Sequence, residues 1–332
     1  MKRFLLKTLS FIACVYVLAL CLDLLICKGL LRMDDYRFQD YRAMLKGGMD
    51  NDILIIGNSR GKSHFDTAVI DSISGHSSFN IGIGGYPLNV QLAKYQLYKE
   101  HNVKPRIIVQ NIDYSTVSIF QDIRRQHESE QFFPLVYDPD MRRILKELGY
   151  SFFELNVPLY RMFGYQQVIK NGLFEAFHLK HYTSRQSYKG FLPENGPWNG
   201  SELERMEPKQ IVLSKEGKDY LEQFLNQCNK DSVQVILVNS PMFYGAQEKL
   251  IGYDEASLYF EQIANQFGII YLNYTNTPMC RDTSNFCVSV HLNSQAAREF
   301  SILLCNDLKT HNAMNYFGGT YCNRKACVRN ED

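Results

Sequence analysis

The chain has 332 residues, which is enough for one large domain or two small ones. Hydrophobic residues make up 45% of it and suffice for a substantial core. The 36 basic and 35 acidic residues nearly cancel, so no overall positive charge favours nucleic acid, and we expect no nucleic-acid partner.

The N-terminus carries a candidate membrane span. Three basic residues among the first seven precede a run, 8–27, that is apolar except for two hydroxyl residues and Asp23. About 20 such residues cross a bilayer. A cleaved signal peptide needs a shorter apolar run and a small-residue cleavage site, and both are lacking. We therefore predict a single-pass signal anchor over 1–31 in the inner or plasma membrane, with the basic N-terminus cytoplasmic and the C-terminal domain extracytoplasmic (periplasmic).

Residues 32–51 are charged and aromatic and predict a short helical stalk. The following domain, 52–311, alternates short apolar runs typical of buried parallel strands with helical patterns. Strands are predicted at 52–56, 78–81, 105–112, 232–238 and 268–272, and helices at 90–100, 215–228, 254–267 and 294–308. This alternation predicts an α/β fold, a three-layer α/β/α sandwich on a flavodoxin-like parallel sheet of about five strands.

The alternation stops between about 115 and 210. This stretch is rich in Tyr, Phe, His and Arg, with helical patterns at 141–149 and 165–177. It predicts a helical insertion over the sheet, either a lid or a docking surface. Residues 312–332 contain few apolar side chains and predict a loose C-terminal tail.

Nine cysteines suit an exported domain. Cys280 and Cys287 bracket a short loop before His291, and Cys322 and Cys327 lie in the tail. In an oxidising compartment each close pair would form a disulfide, with free thiols as the alternative. We favour disulfides over zinc because the spacings match no standard ligand pattern. No metal or other cofactor is implied.

A serine follows the first predicted strand directly, in Gly57-Asn58-Ser59-Arg60-Gly61. A sharp turn into a helix would place the Ser59 hydroxyl at the carboxyl edge of the sheet, where open α/β sheets bind ligands. Backbone N–H groups at the helix start can stabilise an oxyanion. The motif matches G-x-S-x-G, the nucleophile elbow of α/β-hydrolases. Its position argues against that fold, in which the elbow follows several earlier strands.

Three blocks of residues lie in register along the chain, from 52 to 308. They are Gly57–Arg60 with His64-Phe65-Asp66, then Phe79–Gly85, then His291-Leu292-Asn293 before the closing helix. Together they resemble the SGNH/GDSL-type hydrolases, in the membrane-anchored, envelope-associated branch. The resemblance implies Ser59 as nucleophile, His291 as general base, and the N–H groups of Ser59 and Gly85 as oxyanion donors.

Two positions depart from the family pattern. The asparagine that supplies a third oxyanion donor falls at Ser115, while Asn111 and Asp113 lie too early in the strand. The aspartate three residues before the histidine is replaced by Val288, which can neither orient an imidazole nor stabilise its charged form. Losing such an aspartate costs about 10⁴-fold in rate. A backbone carbonyl or Asp282 is the remaining candidate to hold the ring.

Three interpretations stay open: a Ser–His dyad, a slow enzyme specialised for one substrate, or a degenerate hydrolase that binds without turnover. The resemblance implies a serine acyl-esterase or O-acyltransferase acting on extracytoplasmic glycans, with acetyl as the first acyl group to test. The alternative is a non-catalytic glycan-binding or envelope-assembly protein whose insertion engages a membrane acyltransferase. Val288 favours the alternative, and the retained Ser59 and Gly85 favour the enzyme.

Overall fold

The computed structural model describes residues 1–118, 128–311 and 313. Its strands, in chain order, are β1 (Ile53–Ile56), β2 (Ser78–Asn80), β3 (Ile107–Asn111), β4 (Lys209–Gln210), β5 (Gln234–Asn239), β6 (Leu250–Ile251), β7 (Ile270–Asn273), β8 (Phe286–Val288) and β9 (His291–Leu292). Within the described residues five of them form one parallel sheet in the order β2-β1-β3-β5-β7. The predicted parallel sheet is confirmed.

The helices cover most of the remaining chain. In chain order they are α1 (Lys2–Arg32), α2 (Tyr36–Lys46), α3 (Ser59–His64), α4 (Thr67–Ser74), α5 (Leu88–His101), α6 (Pro139–Glu147), α7 (Phe152–Asn156), α8 (Gln166–Ala176), α9 (Ser201–Arg205), α10 (Lys215–Lys230), α11 (Tyr244–Gln247), α12 (Tyr253–Phe267) and α13 (Ser294–Thr310). Short 3₁₀ segments lie at Ser129–Tyr137, Tyr160–Met162, Pro278–Arg281 and Thr283–Asn285.

Alternate side chains of the strands enter two separate cores, one on each face of the sheet. Leu54 and Ile56 of β1 pack into a core that also contains side chains of α5, α10 and α12. Ile53 and Ile55 point the other way, into a core shared with α4 and α13. Two covered faces give the three-layer α/β/α sandwich expected from the sequence.

The chain reverses its direction of travel across the sheet after β2. From β1 it moves outward to β2 and then returns to the other side of β1 to form β3. The register joins Ile53 to Ser78 on one side and to Ile107 on the other. This switch point, between the carboxyl ends of β1 and β3, is where doubly wound sheets open a crevice for ligands.

The segment predicted as a stalk is instead part of the domain. Tyr41 and Met44 of α2 are buried in the main core. The end of α1 is buried as well, with Ile26 and Leu30 in a separate core together with α8. At Gly29 a Cβ atom would lie 1.8 Å from the backbone oxygen of Gly172, so the close packing of α1 against α8 leaves no room for a side chain at this position. The predicted boundaries at 31 and 51 therefore miss this packing, which depends on distant partners.

Among the described residues, α1 is the one helix that is long and apolar enough to cross a membrane. Its side chains are largely exposed up to Leu22, and burial begins at Asp23. The region after β3 is helical, as predicted for the insertion, with α6 and α8 close to the expected bounds. Apart from 313, the predicted C-terminal tail lies outside the described residues.

Candidate active site

Ser59 is the first residue of α3 and lies just beyond the carboxyl end of β1. The chain turns at Gly57, where a Cβ atom would come within 2.8 Å of the Asn111 Cβ. Asn58 caps α3, because its side-chain oxygen accepts a hydrogen bond from the Arg60 N–H at 3.0 Å. Glycine at 57 therefore permits the close approach to β3 that brings Ser59 to the switch point.

His291 lies beside Ser59, although 232 residues separate them in the sequence. The distance from His291 Nε2 to Ser59 Oγ is 2.9 Å. A short antiparallel hairpin of β8 and β9 presents His291, and α13 follows directly. A histidine at this distance can accept the serine proton. The structure brings the two residues together, and their catalytic roles stay predictions.

The second ring nitrogen of His291, Nδ1, has no hydrogen-bond partner within the described residues. Asp282 does not supply one. Its exposed carboxylate accepts hydrogen bonds from the N–H and Oγ of Ser284, at 2.9 and 2.7 Å. We therefore correct the suggestion that it orients the ring: Asp282 caps a local turn. Val288 is paired with His291 across the hairpin.

Burial lowers the pKa of His291 below the ordinary value of a histidine. The carboxylates of Glu194 and Glu202 act in the opposite direction, whereas the Arg60 guanidinium adds to the shift. Glu202 also accepts a hydrogen bond from the Ser289 N–H in the turn of the hairpin. The imidazole is therefore neutral near pH 7 and able to accept a proton. Both glutamates lie in the insertion, where the sequence offers no motif to single them out.

A second histidine, His64 at the end of α3, is fully buried behind His291. Its Nε2 accepts a hydrogen bond from the Leu292 N–H at 3.1 Å, so Nδ1 carries the proton and donates it to Ser240 Oγ at 3.0 Å. The rings of His64 and His291 lie edge to face, with their centroids 6.2 Å apart. His64 therefore fixes the backbone immediately after His291. The sequence placed it in a family block without a role.

We expect the free energy of unfolding to fall as the pH is lowered from 7 to 5. Burial lowers the pKa of His64 well below its ordinary value, and His291 and Arg60 add to the shift. The unfolded chain takes up a proton below about pH 6.5 that the folded chain does not bind. The contribution to stability is therefore complete above that pH and is lost below it, by about 1.4 kcal/mol per pH unit.

Denaturant titrations in detergent micelles at both pH values test this expectation. In the variant His64→Gln, an amide oxygen replaces Nε2 as the acceptor for the Leu292 N–H, and the side chain at position 64 no longer takes up a proton. The variant should lose about 1–2 kcal/mol less than the unchanged protein on acidification. Equal losses in the two proteins would contradict the assignment.

A buried charged network supports the turn that carries Ser59. The Arg60 guanidinium is 3.2 Å from the Asp113 carboxylate and donates to the Ser240 carbonyl at 3.0 Å. Asp113 also accepts hydrogen bonds from the Asn58 side chain and from the Ser115 N–H. Burial raises the pKa of Asp113, but the charge of Arg60 and these hydrogen bonds outweigh it and hold that pKa below its ordinary value. Sequence reasoning missed this pair, because it forms only when β1 and β3 are neighbours.

Ser115 lines the cavity at Ser59 but is not a free donor. Its Oγ donates to Asp113 Oδ1 at 2.5 Å and accepts from the Asn58 side chain at 3.3 Å. The single hydroxyl proton is thus engaged. We correct the prediction of Ser115 as third oxyanion donor: it supports Asp113 instead.

Two cavities meet at Ser59. The larger, of about 420 Å³, opens at the ends of β1 and β3, and its polar lining includes Asn58, Arg60, Asp113, Tyr114, Lys209 and Gln210. The smaller, of about 240 Å³, lies on the His291 side and is lined by Tyr36, Lys62, Glu128, Arg185 and Glu194, among others. Gly85 lines both, in a left-handed conformation with φ 74°. Its backbone therefore borders the space next to Ser59, and its role as oxyanion donor stays a prediction.

Cys280 and Cys287, the two cysteines nearest to His291 in the sequence, are free thiols. Cys280 donates a hydrogen bond to the Tyr274 carbonyl at 3.2 Å, and Cys287 donates to the His291 carbonyl at 3.5 Å. The disulfide that we favoured between them is therefore wrong. The predicted pair of Cys322 and Cys327 lies outside the described residues.

One group in the described part of the chain has the spacing to gather a metal ion: His101, Asp138 and Asp140. Asp138 already caps α6, accepting hydrogen bonds from the N–H groups of Asp140 and Met141. The group is thus explained as a helix cap.

Comparisons with known proteins find similarity among solved structures but none to a family model or a curated sequence. No family model matches, and no curated protein matches the sequence. Among solved structures it is similar to a family two carbohydrate esterase from Clostridium thermocellum in complex with cellohexaose, with a TM-score of 0.39 and 10% identity over 80% of this chain. It is also similar to an active site mutant of a family two carbohydrate esterase from the same organism, with a TM-score of 0.38 and 9% identity over 80% of this chain. The chain spans 66% and 65% of the lengths of these esterases, and a likeness this distant transfers no activity.

Proposed function

We propose that the chain is a serine acyl-esterase or O-acyltransferase that acts on acylated extracytoplasmic glycans through Ser59 and His291. The observation that carries the proposal is the 2.9 Å contact between Ser59 Oγ and His291 Nε2 where two cavities meet. The resemblance of the sequence blocks to those of SGNH/GDSL-type hydrolases supports acyl chemistry, and the polar, charged lining of the larger cavity suits a sugar. The proposal includes a bilayer span over 8–27, an inner or plasma membrane location and an extracytoplasmic domain.

The proposed reaction has two acyl-transfer steps. Ser59 Oγ attacks the ester carbonyl while its proton passes to His291 Nε2, and the N–H groups of Ser59 and Gly85 stabilise the oxyanion. When the intermediate collapses, the sugar oxygen leaves with the proton from His291, and the acyl group remains on Ser59. Water or a second sugar hydroxyl then attacks the acyl-enzyme, giving hydrolysis or transfer.

One observation favours a second candidate function. Within the described residues nothing holds His291 Nδ1, and Val288 stands where the family has its aspartate. A non-catalytic glycan-binding or envelope-assembly protein, partnering a membrane acyltransferase, would need the cleft but not the orienting carboxylate. Such a protein should bind acylated sugars without cleaving them.

Acetate release tests the proposal. We expect the full-length protein in detergent micelles to release acetate from acetylated xylan, and Ser59→Ala to release none. Adding an unacetylated oligosaccharide separates the two activities, because a transferase would acetylate it in a mass spectrum. Binding of the polymer by both proteins, with neither acetate release nor acetylation of the added oligosaccharide by either, would overturn the enzyme and support the second candidate.

A further inference from the structure

An exposed aromatic patch lies on the insertion, beside α1. It consists of Phe152, Phe153, Tyr160 and Phe163, and we call it the aromatic patch. Phe163 is 91% exposed and Phe152 is 71% exposed. The ring centroid of Phe153 lies 5.8 Å from that of Phe152 and also 5.8 Å from that of Tyr160. Contiguous exposed apolar surface of this kind marks a contact with another apolar phase or molecule.

The patch is held at a defined height along α1. The Tyr16 hydroxyl donates to the Asn156 carbonyl at 3.0 Å, and the Asp23 carboxylate accepts from the Leu159 N–H at 2.6 Å. Large exposed apolar side chains of α1 continue through the proposed span 8–27 as far as Leu24, and the 20 residues of that span rise about 30 Å, which matches the hydrocarbon core of a bilayer. The stretch from Tyr16 to Leu24 covers about 12 Å, from the middle of that span towards the domain. The patch therefore lies level with the lipid-facing part of α1.

Several polar groups of the segment 152–163 that carries the patch are paired within the protein, which lowers the cost of placing the segment in lipid. Its charged residues are Glu154, which accepts hydrogen bonds from Ser151, and Arg161, which pairs with the buried Asp23 at 2.5 Å. Arg142 donates to the Leu155 carbonyl and to the Asn156 side chain. These bonds leave mainly aromatic rings facing outward.

We propose that the aromatic patch is a second membrane contact, immersed in the phospholipid leaflet on the domain side of α1. The inference rests on α1 spanning the bilayer, and it adds a monotopic attachment that fixes the orientation of the domain. An apolar segment bound in this way sits about 5–10 Å into the boundary between headgroups and acyl chains. The occupant of the surface is then the bilayer itself, whose acyl chains already surround the neighbouring face of α1.

Tryptophan quenching by lipid tests the contact on the full-length protein. Trp198 is the only tryptophan, so the variant Trp198→Phe gives a dark background that keeps an aromatic ring next to Phe243. In that background Phe163→Trp reports on the patch, Phe11→Trp reports on the apolar span of α1 away from the domain, and Leu258→Trp is the control. Leu258 is an exposed apolar residue on α12, outside the insertion. The protein is reconstituted in phosphatidylcholine liposomes with and without bromine on the acyl chains.

We expect the tryptophans at 11 and 163 to lose about half of their emission or more in brominated liposomes, and the tryptophan at 258 to keep its emission. Quenching at 11 without quenching at 163 would overturn the second contact and leave the span intact. No quenching at 11 would remove the span on which the inference rests. Equal quenching at 163 and 258 would indicate unspecific adsorption and would also overturn it. Acetate release from the same samples reports separately on the proposed function.

Discussion

The full-length protein in detergent micelles is expected to take up one fluorophosphonate group on Ser59, and Ser59→Ala is expected to take up none. A serine reacts with this probe only when a neighbouring base accepts its proton, and His291 Nε2 is 2.9 Å away. Removing the nucleophile or the base of such a unit lowers the rate by up to about 10⁶-fold. His291→Asn should therefore slow labelling by about 10³-fold or more. Intact-mass spectrometry measures the extent and the rate.

The matched control is Ser118→Ala, since Ser118 also lines the larger cavity but has no histidine partner among the residues described. Its labelling should equal that of the unchanged protein. The full chain is the proper sample because α1 contributes Ile26 and Leu30 to the core and its removal would expose them. A folded protein that stays unlabelled would contradict autonomous activation of Ser59.

Val288→Asp is expected to accelerate labelling of Ser59 by about 100-fold, part of the 10⁴-fold that an orienting aspartate can supply. Residues paired across an antiparallel hairpin place their side chains on the same face, about 5 Å apart at Cβ. Val288 and His291 are paired in this way. A carboxylate at 288 can therefore accept a hydrogen bond from Nδ1 and stabilise the charged ring that forms as Ser59 attacks.

Val288→Asn is the control, because it has the same size as aspartate and can accept a hydrogen bond but carries no charge. Labelling rates of the two variants and the unchanged protein are compared at one pH. Equal rates in Asp and Asn would show that the carboxylate does not reach the ring. Labelling that appears only in Val288→Asp would identify the natural chain as a hydrolase fold that has lost turnover.

The sequence predicts the central sheet well and the surroundings of the site poorly, for physical reasons. Runs such as Ile53–Ile56 are buried on both faces, so their apolar character alone identifies them as parallel strands. The approach of Ser59 and His291 follows from blocks at the two ends of one α/β pattern. By contrast, the roles of Ser115 and Asp282 depend on hydrogen-bond partners that local sequence does not specify.

Two further errors have the same origin. The charged residues around Tyr41 indicate a solvated stalk, but three-dimensional packing buries one face of that helix in the main core. The short spacing of Cys280 and Cys287 indicates a disulfide, whereas each thiol has turned towards a backbone carbonyl. The pattern of apolar residues and the spacing of cysteines indicate which side chains a segment can bury or pair. They do not identify the distant residues that contact it in the folded protein.

The tight packing of α1 into the domain determines where the cleft lies relative to the membrane. Tyr36, a wall of the smaller cavity, follows the end of α1 by four residues, and its backbone N–H bonds the Arg185 carbonyl of the same wall at 3.1 Å. From Leu24 to Arg32 the helix rises only about 12 Å. If α1 spans the bilayer, the cleft is held at a fixed distance from the membrane surface and in a fixed orientation, because no flexible linker separates it from the span. The search for the proposed glycan substrate is then two-dimensional, by lateral diffusion of the protein in the membrane at this fixed distance.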